Sequence, residues 1–206
     1  MKLRTLIGAL LAMTLLQACV PLIVGGVAGG VVTAIDRRTY GEQYRDTEIE
    51  RTFNHNFSPA LESKTAVSAN VFNRWMLLTG QAINEQAKSE VEALARSVPN
   101  VREVYNEITI GYPASFTTRA NDRLIVSNLK ARLLDAKEVS TIHVNVICEG
   151  NIVYLMGMLT DAEAQAAITI ARGAQGVQKV VSLIEIITPE VARQRTLQTE
   201  PVKAKD

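Results

Sequence analysis

The sequence predicts an α+β protein made of two tandem copies of one small unit. Each copy runs helix, β-hairpin, helix, strand, with two helices on a small three-stranded mixed sheet. Three observations predict this. Asp46, Ile49, Phe53 and Phe57 recur as Asp122, Ile125, Leu129 and Leu133 at an offset of 76. Short alternating apolar runs, the mark of half-buried strands, follow each of these segments in pairs. The rest of the unit repeats in the same order: Val67, Ala69 and Leu78-Thr79-Gly80 match Val144, Val146 and Leu155-Met156-Gly157 at 77, and Val101, Val104 and Ile108 match Val177, Val180 and Ile184 at 76. A one-residue insertion and a one-residue deletion account for the drift.

Taken in order, the chain opens with Lys2 and Arg4 and an apolar run from Leu6 to Leu16, the layout of a secretory signal peptide over residues 1–18. The Leu16-Gln17-Ala18-Cys19 ending resembles the lipobox of bacterial lipoproteins. That resemblance implies cleavage before Cys19 and acylation of its sulfur and new amine. Several acyl chains, at roughly 0.8 kcal/mol per buried methylene, make a lasting anchor. Val20-Pro21 follows, without the aspartate that resembles an inner-membrane retention signal, so the outer membrane is the expected destination. Leu22 to Ile35 is apolar and glycine-rich but marginal in length for a span of about 20 residues. It is read as a flexible tether over residues 19–45, ending in a polar spacer from Arg37 to Arg45.

In the first unit, residues 46–110, a helix is expected from Asp46 to Phe57. A hairpin then runs from Ala66 to Phe72 and Trp75 to Thr79, turning at Asn73-Arg74. A small-residue helix from Glu85 to Ser97 and a strand from Val101 to Ile110 complete the unit. Residues 111–120 form a turn-prone linker with Pro113, short enough to favour docked units. The second unit, residues 121–187, repeats the plan: a helix from Asp122, at the N-cap, to Lys137, a hairpin from Ile142 to Cys148 and Ile152 to Gly157, a helix from Asp161 to Arg172, and a strand from Val177 to Ile187. Residues 188–206 lack an apolar period and are expected to be a disordered tail.

The leading helix, the hairpin ending in Leu-x-Gly, the second helix and the closing Gly176-Val177-Gln178-Lys179-Val180 with Ile184 together resemble the BON domain. Val104-Tyr105-Asn106-Glu107-Ile108 and Asn121-Asp122 with Leu133-Leu134 add to that likeness. Two such units behind a lipobox resemble the dual-BON outer-membrane lipoproteins. The resemblance implies binding of anionic phospholipid by the first helix of the second unit, support of the outer-membrane barrier, and recruitment to the division site.

The pattern of that helix bears on the lipid-binding part of this expectation. Ile125, Leu129, the stem of Arg132, Leu133 and Ala136 form its buried stripe, while Leu124, Ser127, Ala131 and Leu134 point the other way beside Arg123 and Lys130. Leucines aimed at solvent among cations suit a membrane surface. The first unit has Glu48, Arg51, His55 and Ser58 at the corresponding positions, and carries 6 basic against 9 acidic residues. An anionic bilayer should repel it. The alternative, from another class, is a protein-interaction adaptor that uses the same leucines against the outer-membrane protein assembly machinery.

Other chemistry finds no support. Loss of the signal peptide takes Lys2 and Arg4, leaving 20 of the 22 basic residues against 21 acidic ones, so no basic stripe exists for nucleic acid. His55 and His143 lack a nucleophile or metal-ligand pattern around them. Gly25, Gly26, Gly29 and Gly30 are not a phosphate loop, because no lysine follows in register. Trp75 and Tyr154 alternate with apolar neighbours and should pack. With Cys19 acylated, Cys148 is the one remaining thiol and a buried strand residue. No cofactor and no enzyme activity are expected.

Overall fold

The computed structural model describes residues 36–199, all within one compact unit. The signal peptide, Cys19 and the glycine-rich run lie outside the described residues. The first copy contains helix α1 (Tyr40–Asn56), a single turn α2 (Pro59–Glu62), strands β1 (Thr65–Phe72) and β2 (Trp75–Ala82), helix α3 (Glu85–Ser97), and strands β3 (Glu103–Asn106) and β4 (Thr109–Ile110). The second contains α4 (Phe116–Asp135), β5 (Val144–Glu149), β6 (Ile152–Leu159), α5 (Asp161–Arg172) and β7 (Lys179–Ile186), and is followed by α6 (Pro189–Thr199).

Each sheet is mixed. β1 pairs antiparallel with β2, which pairs parallel with β3 and then β4. β5, β6 and β7 repeat that order. The expected single strand from Val101 to Ile110 is interrupted because Asn106 Oδ1 accepts from the Ile108 amide at 3.2 Å, which turns the backbone between β3 and β4. The Leu-x-Gly motif also has its reason here. A Cβ on Gly80 would run into the Ala66 carbonyl oxygen, and one on Gly157 into that of His143, so only glycine lets the edge strand lie this close.

Both hairpins turn on two residues with positive φ, Asn73 (47°) and Arg74 (68°), and Gly150 (57°) and Asn151 (66°). Asp122, expected at an N-cap, and Asp46, expected to open its helix, do other work. Asp46 accepts from the Asn73 and Arg74 amides, each at 2.8 Å, and Asp122 from the Gly150 and Asn151 amides at 3.0 and 2.9 Å. Each is a buried residue in the interior of its helix, tying it to its hairpin. The helices therefore start six residues earlier than expected. Thr39 forms a capping box with Glu42, and Ser115 accepts from the Thr118 amide at 3.1 Å. α4 also stops at Asp135 rather than Lys137, and the linker shrinks to residues 111–115.

Both faces of each sheet are covered. On the outer face, Ile49, Phe53, Met76, Leu78 and Val91 form one core, and Ile125, Leu129, Leu133, Val153 and Leu155 the other. The alternate residues of the same strands form a third cluster, in which Phe72 and Leu77 of the first copy meet Tyr154, Met156, Met158 and Leu183 of the second. The two sheets thus pack face to face with helices outside, giving four layers. Gln81 Nε2 donates to Glu149 at 2.8 Å, and Glu185 takes hydrogen bonds from Asn73 and Arg102, which closes the rim of this junction.

Two segments expected to be loose are ordered parts of this body. The spacer before Asp46 docks on both copies: Arg37 is buried and pairs with Glu163 at 2.7 Å, while Arg38 pairs with Asp46 at 2.8 Å and lies 3.9 Å from the Phe72 ring centre. The expected tail is helical through Thr199, because Ala192 is buried and Arg195 reaches Glu42 at 3.1 Å. Burial alone would push the Glu163 carboxyl up. Hydrogen bonds from Arg37 and from Thr160 outweigh it and hold the group at about 2 against an ordinary 4.5. A carboxyl lowered in the folded state stabilises fully above its unfolded value and loses that contribution as pH falls through the folded one. Melting temperatures of the wild type should therefore drop between about pH 4.5 and 2, and Arg37→Gln should flatten that part of the curve.

Candidate functional site

Helix α4 buries Asp122, Ile125, Leu129 and Leu133, which sets its opposite side facing solvent. Arg123, Leu124, Ser127, Lys130, Ala131 and Leu134 are all exposed, the two leucines at 63% and 74%. Arg132, whose stem was expected on the buried stripe, is exposed instead and donates to the Gly173 carbonyl at 2.9 Å. Its guanidinium thereby ties α4 to the end of α5.

The earlier start of α4 brings in a residue that sequence reading missed. Phe116 was assigned to the linker, yet it is 75% exposed on the first turn. At 100° per residue it falls on the same side as Ser127 and Leu134, two of the exposed positions. The exposed face from Phe116 to Leu134, on which Arg123, Ser127 and Lys130 lie between the apolar residues, is then about 27 Å long at 1.5 Å per residue. The signal that could have revealed it is Pro113 followed by Ser115, a chain entry and cap, with Phe116, Ala120 and Leu124 at helical spacing beyond. Beside Leu134 a shallow hollow of about 350 Å³ is lined by Lys130, Ala131, Thr141 and Val144.

In the first copy Glu48, Arg51, His55 and Ser58 are exposed at the positions equivalent to Leu124, Ser127, Ala131 and Leu134. The contrast between the copies expected from the sequence is thus a contrast between two solvent-facing surfaces. Among the described residues no cluster of His, Cys, Asp and Glu could hold a metal ion, and no helix is long and apolar enough to cross a membrane. Cys148 is half-buried; burial and then the Asp122 carboxylate 3.3 Å away push its thiol up to about 12, so it stays protonated near neutral pH. Trp75 packs edge-on against Tyr105 at 5.5 Å and Tyr154 is sealed between the sheets, so both rings are structural.

The model of the BON domain matches residues 46–112 and again 121–188. The chain belongs to the BON-domain family. Among curated relatives, the outer membrane lipoprotein DolP of Haemophilus influenzae is 34% identical over 188 residues, covering 90% of this chain and 96% of the relative. A 21 kDa hemolysin of Actinobacillus pleuropneumoniae is also 34% identical, over 74% of this chain and 80% of its own. A solved structure of CdsD, a structural protein of the type III secretion system of Chlamydia trachomatis, covers 77% of this chain and 99% of that one with a TM-score of 0.31 at 12% identity, too distant to bear on function. Within the BON plan, then, the exposed residues of α4 distinguish the second unit from the first.

Proposed function

We propose that this BON-family protein is an outer-membrane lipoprotein, anchored through Cys19 and facing the periplasm, that binds anionic phospholipid through Arg123, Leu124, Ser127, Lys130, Ala131 and Leu134. Phe116 extends that face. The observation that carries the reading is that one copy of a duplicated unit leaves an apolar, cation-flanked helix face uncovered where its twin presents polar side chains. Leucines and a phenylalanine entering the boundary between headgroups and acyl chains, with Arg123 and Lys130 at the headgroups, fit an interfacial helix. Identity to an outer membrane lipoprotein across nearly the whole of both chains supports the anchor and the membrane assigned to it.

An acyl anchor at Cys19 keeps the body at high local concentration near the bilayer, so weak insertion of α4 suffices to respond to lipid composition. This contact serves outer-membrane integrity, and enrichment at the division site follows where anionic lipid gathers. Flotation of the protein with vesicles of increasing anionic fraction tests the reading. Binding should rise with that fraction and fall with salt. Binding that appears only when an envelope protein is added would replace the lipid by a protein partner, such as the outer-membrane protein assembly machinery.

A further inference from the structure

The two copies differ at one more position, and the difference opens a cleft. In the first copy Glu50 leans from α1 over the outer edge of β1 and accepts from the Val71 amide at 2.8 Å. The equivalent helix residue in the second copy is Val126, and the equivalent strand residue is Cys148. Phe72 pairs with Trp75, and Glu149 with Ile152, across the two-residue turns, so the amide one residue earlier points away from its hairpin partner in both copies. The Val71 amide meets a carboxylate there. The Cys148 amide faces a cleft of about 330 Å³ floored by Val126 and Cys148.

The rim of that cleft is cationic on the helix side, where Arg119 and Arg123 stand one turn apart, and Ser68 of the first copy closes the far side. Both carboxylates of the lining are engaged: Asp122 holds the Gly150 and Asn151 amides and the Cys148 thiol, and Glu149 accepts from Gln81. Arg123 belongs both to this rim and to the exposed face of α4. An anionic oxygen placed where Glu50 puts its own in the first copy would meet an outward-pointing amide, with the Arg123 guanidinium and that of Arg119, one nitrogen of which donates to the Ala114 carbonyl at 2.8 Å, on the rim.

We infer that the cleft between α4, the outer edge of β5 and Ser68 seats the phosphodiester headgroup of a phospholipid whose acyl chains meet the exposed apolar residues of α4. This rests on the phospholipid reading above and assigns it a headgroup site. The two lining carboxylates favour a singly charged phosphodiester over doubly charged inorganic phosphate, and Ser68 can hydrogen-bond a headgroup hydroxyl.

The test uses the full chain with vesicles containing phosphatidylglycerol and, separately, with soluble glycerophosphoglycerol or inorganic phosphate. Val126→Gln supplies a neutral side chain that reaches the Cys148 amide as Glu50 reaches Val71, while Val126→Ala widens the cleft. Val126→Gln and Arg119→Gln should each weaken vesicle binding about tenfold, the value of a charge-assisted hydrogen bond. Val126→Ala should retain binding. Glycerophosphoglycerol should shift the Cys148 amide resonance in the wild type and not in Val126→Gln. Wild-type vesicle binding by both Val126→Gln and Arg119→Gln overturns the headgroup site, and so does an equal shift of that resonance by inorganic phosphate. Because neither substitution alters Leu124 or Leu134, that outcome leaves the phospholipid reading standing, whereas unimpaired binding after the leucines are replaced removes both.

Discussion

Asp122→Ala is expected to destabilise the fold by about 3 kcal/mol or more, since it leaves two turn amides without an acceptor at roughly 1–3 kcal/mol each. The loss should exceed that of any exposed substitution on the same helix. Asp46→Ala should cost at least as much, because Arg38 would also lose one of its two carboxylate partners, keeping only Asp36 at 2.7 Å. Asn at either position keeps one acceptor oxygen but turns an amide donor toward the second turn N–H, so it should recover only part of the loss. Urea denaturation of the four variants measures these differences. A change under about 0.5 kcal/mol for Asp122→Ala, the range of ordinary surface substitutions, would mean the helix is not held to its hairpin by this carboxylate.

Replacing Leu124 and Leu134 together by glutamate is expected to abolish vesicle binding while the melting temperature stays near wild type. The functional cost is large for two additive reasons. Each leucine forgoes roughly 1.5–3 kcal/mol of apolar burial, and each new carboxylate meets an anionic surface at about 1 kcal/mol per charge. Together that is about 5–8 kcal/mol, on the order of ten-thousandfold or more in affinity. The fold should not notice, because both side chains already face water. Phe116→Ser should give a smaller loss in the same assay. If the double variant still floats with anionic vesicles, α4 is not the membrane contact.

The contrast between these variants separates two kinds of position on one helix. Asp122 and Leu124 are two residues apart, yet one holds the architecture and the other is free to contact a partner. Helical geometry puts them on different sides, and the duplication shows which side is common to both copies. Asp46 and Asp122 occupy equivalent positions and make the same pair of bonds. Leu124 and Glu48 occupy equivalent positions and share only their exposure.

The order and type of the elements were legible because they rest on local patterns. Helices from Glu85 to Ser97 and from Asp161 to Arg172 lie where the sequence predicts them to the residue, since their small apolar faces keep helical spacing over just those segments. The exposed face of α4 was legible for the same reason: periodicity separates the two sides of a helix without any knowledge of what covers them. The starts of α1 and α4 were not. Their first six residues contact little of the core, so no core-facing apolar period marks them, and a buried aspartate within a helix looks like a cap from sequence alone.

The sequence by itself therefore determined the duplicated α+β plan, the hairpin turns and the inequality of the two leading helices, all of which depend on residues near one another in the chain. Only the tertiary structure decided that the sheets face each other through Phe72, Leu77, Tyr154 and Met156, that Arg37 and Arg195 tie both ends of the body together, and that Val126 opens a cleft where Glu50 closes one. Those contacts join residues far apart in sequence, and a side chain's apolar or charged character says that it needs a partner without saying which one. The alternation read in β2 and β6 predicts half-buried strands, yet Leu77 and Leu78, and Leu155 and Met156, are buried on both faces. What covered the second face was another copy of the same sheet.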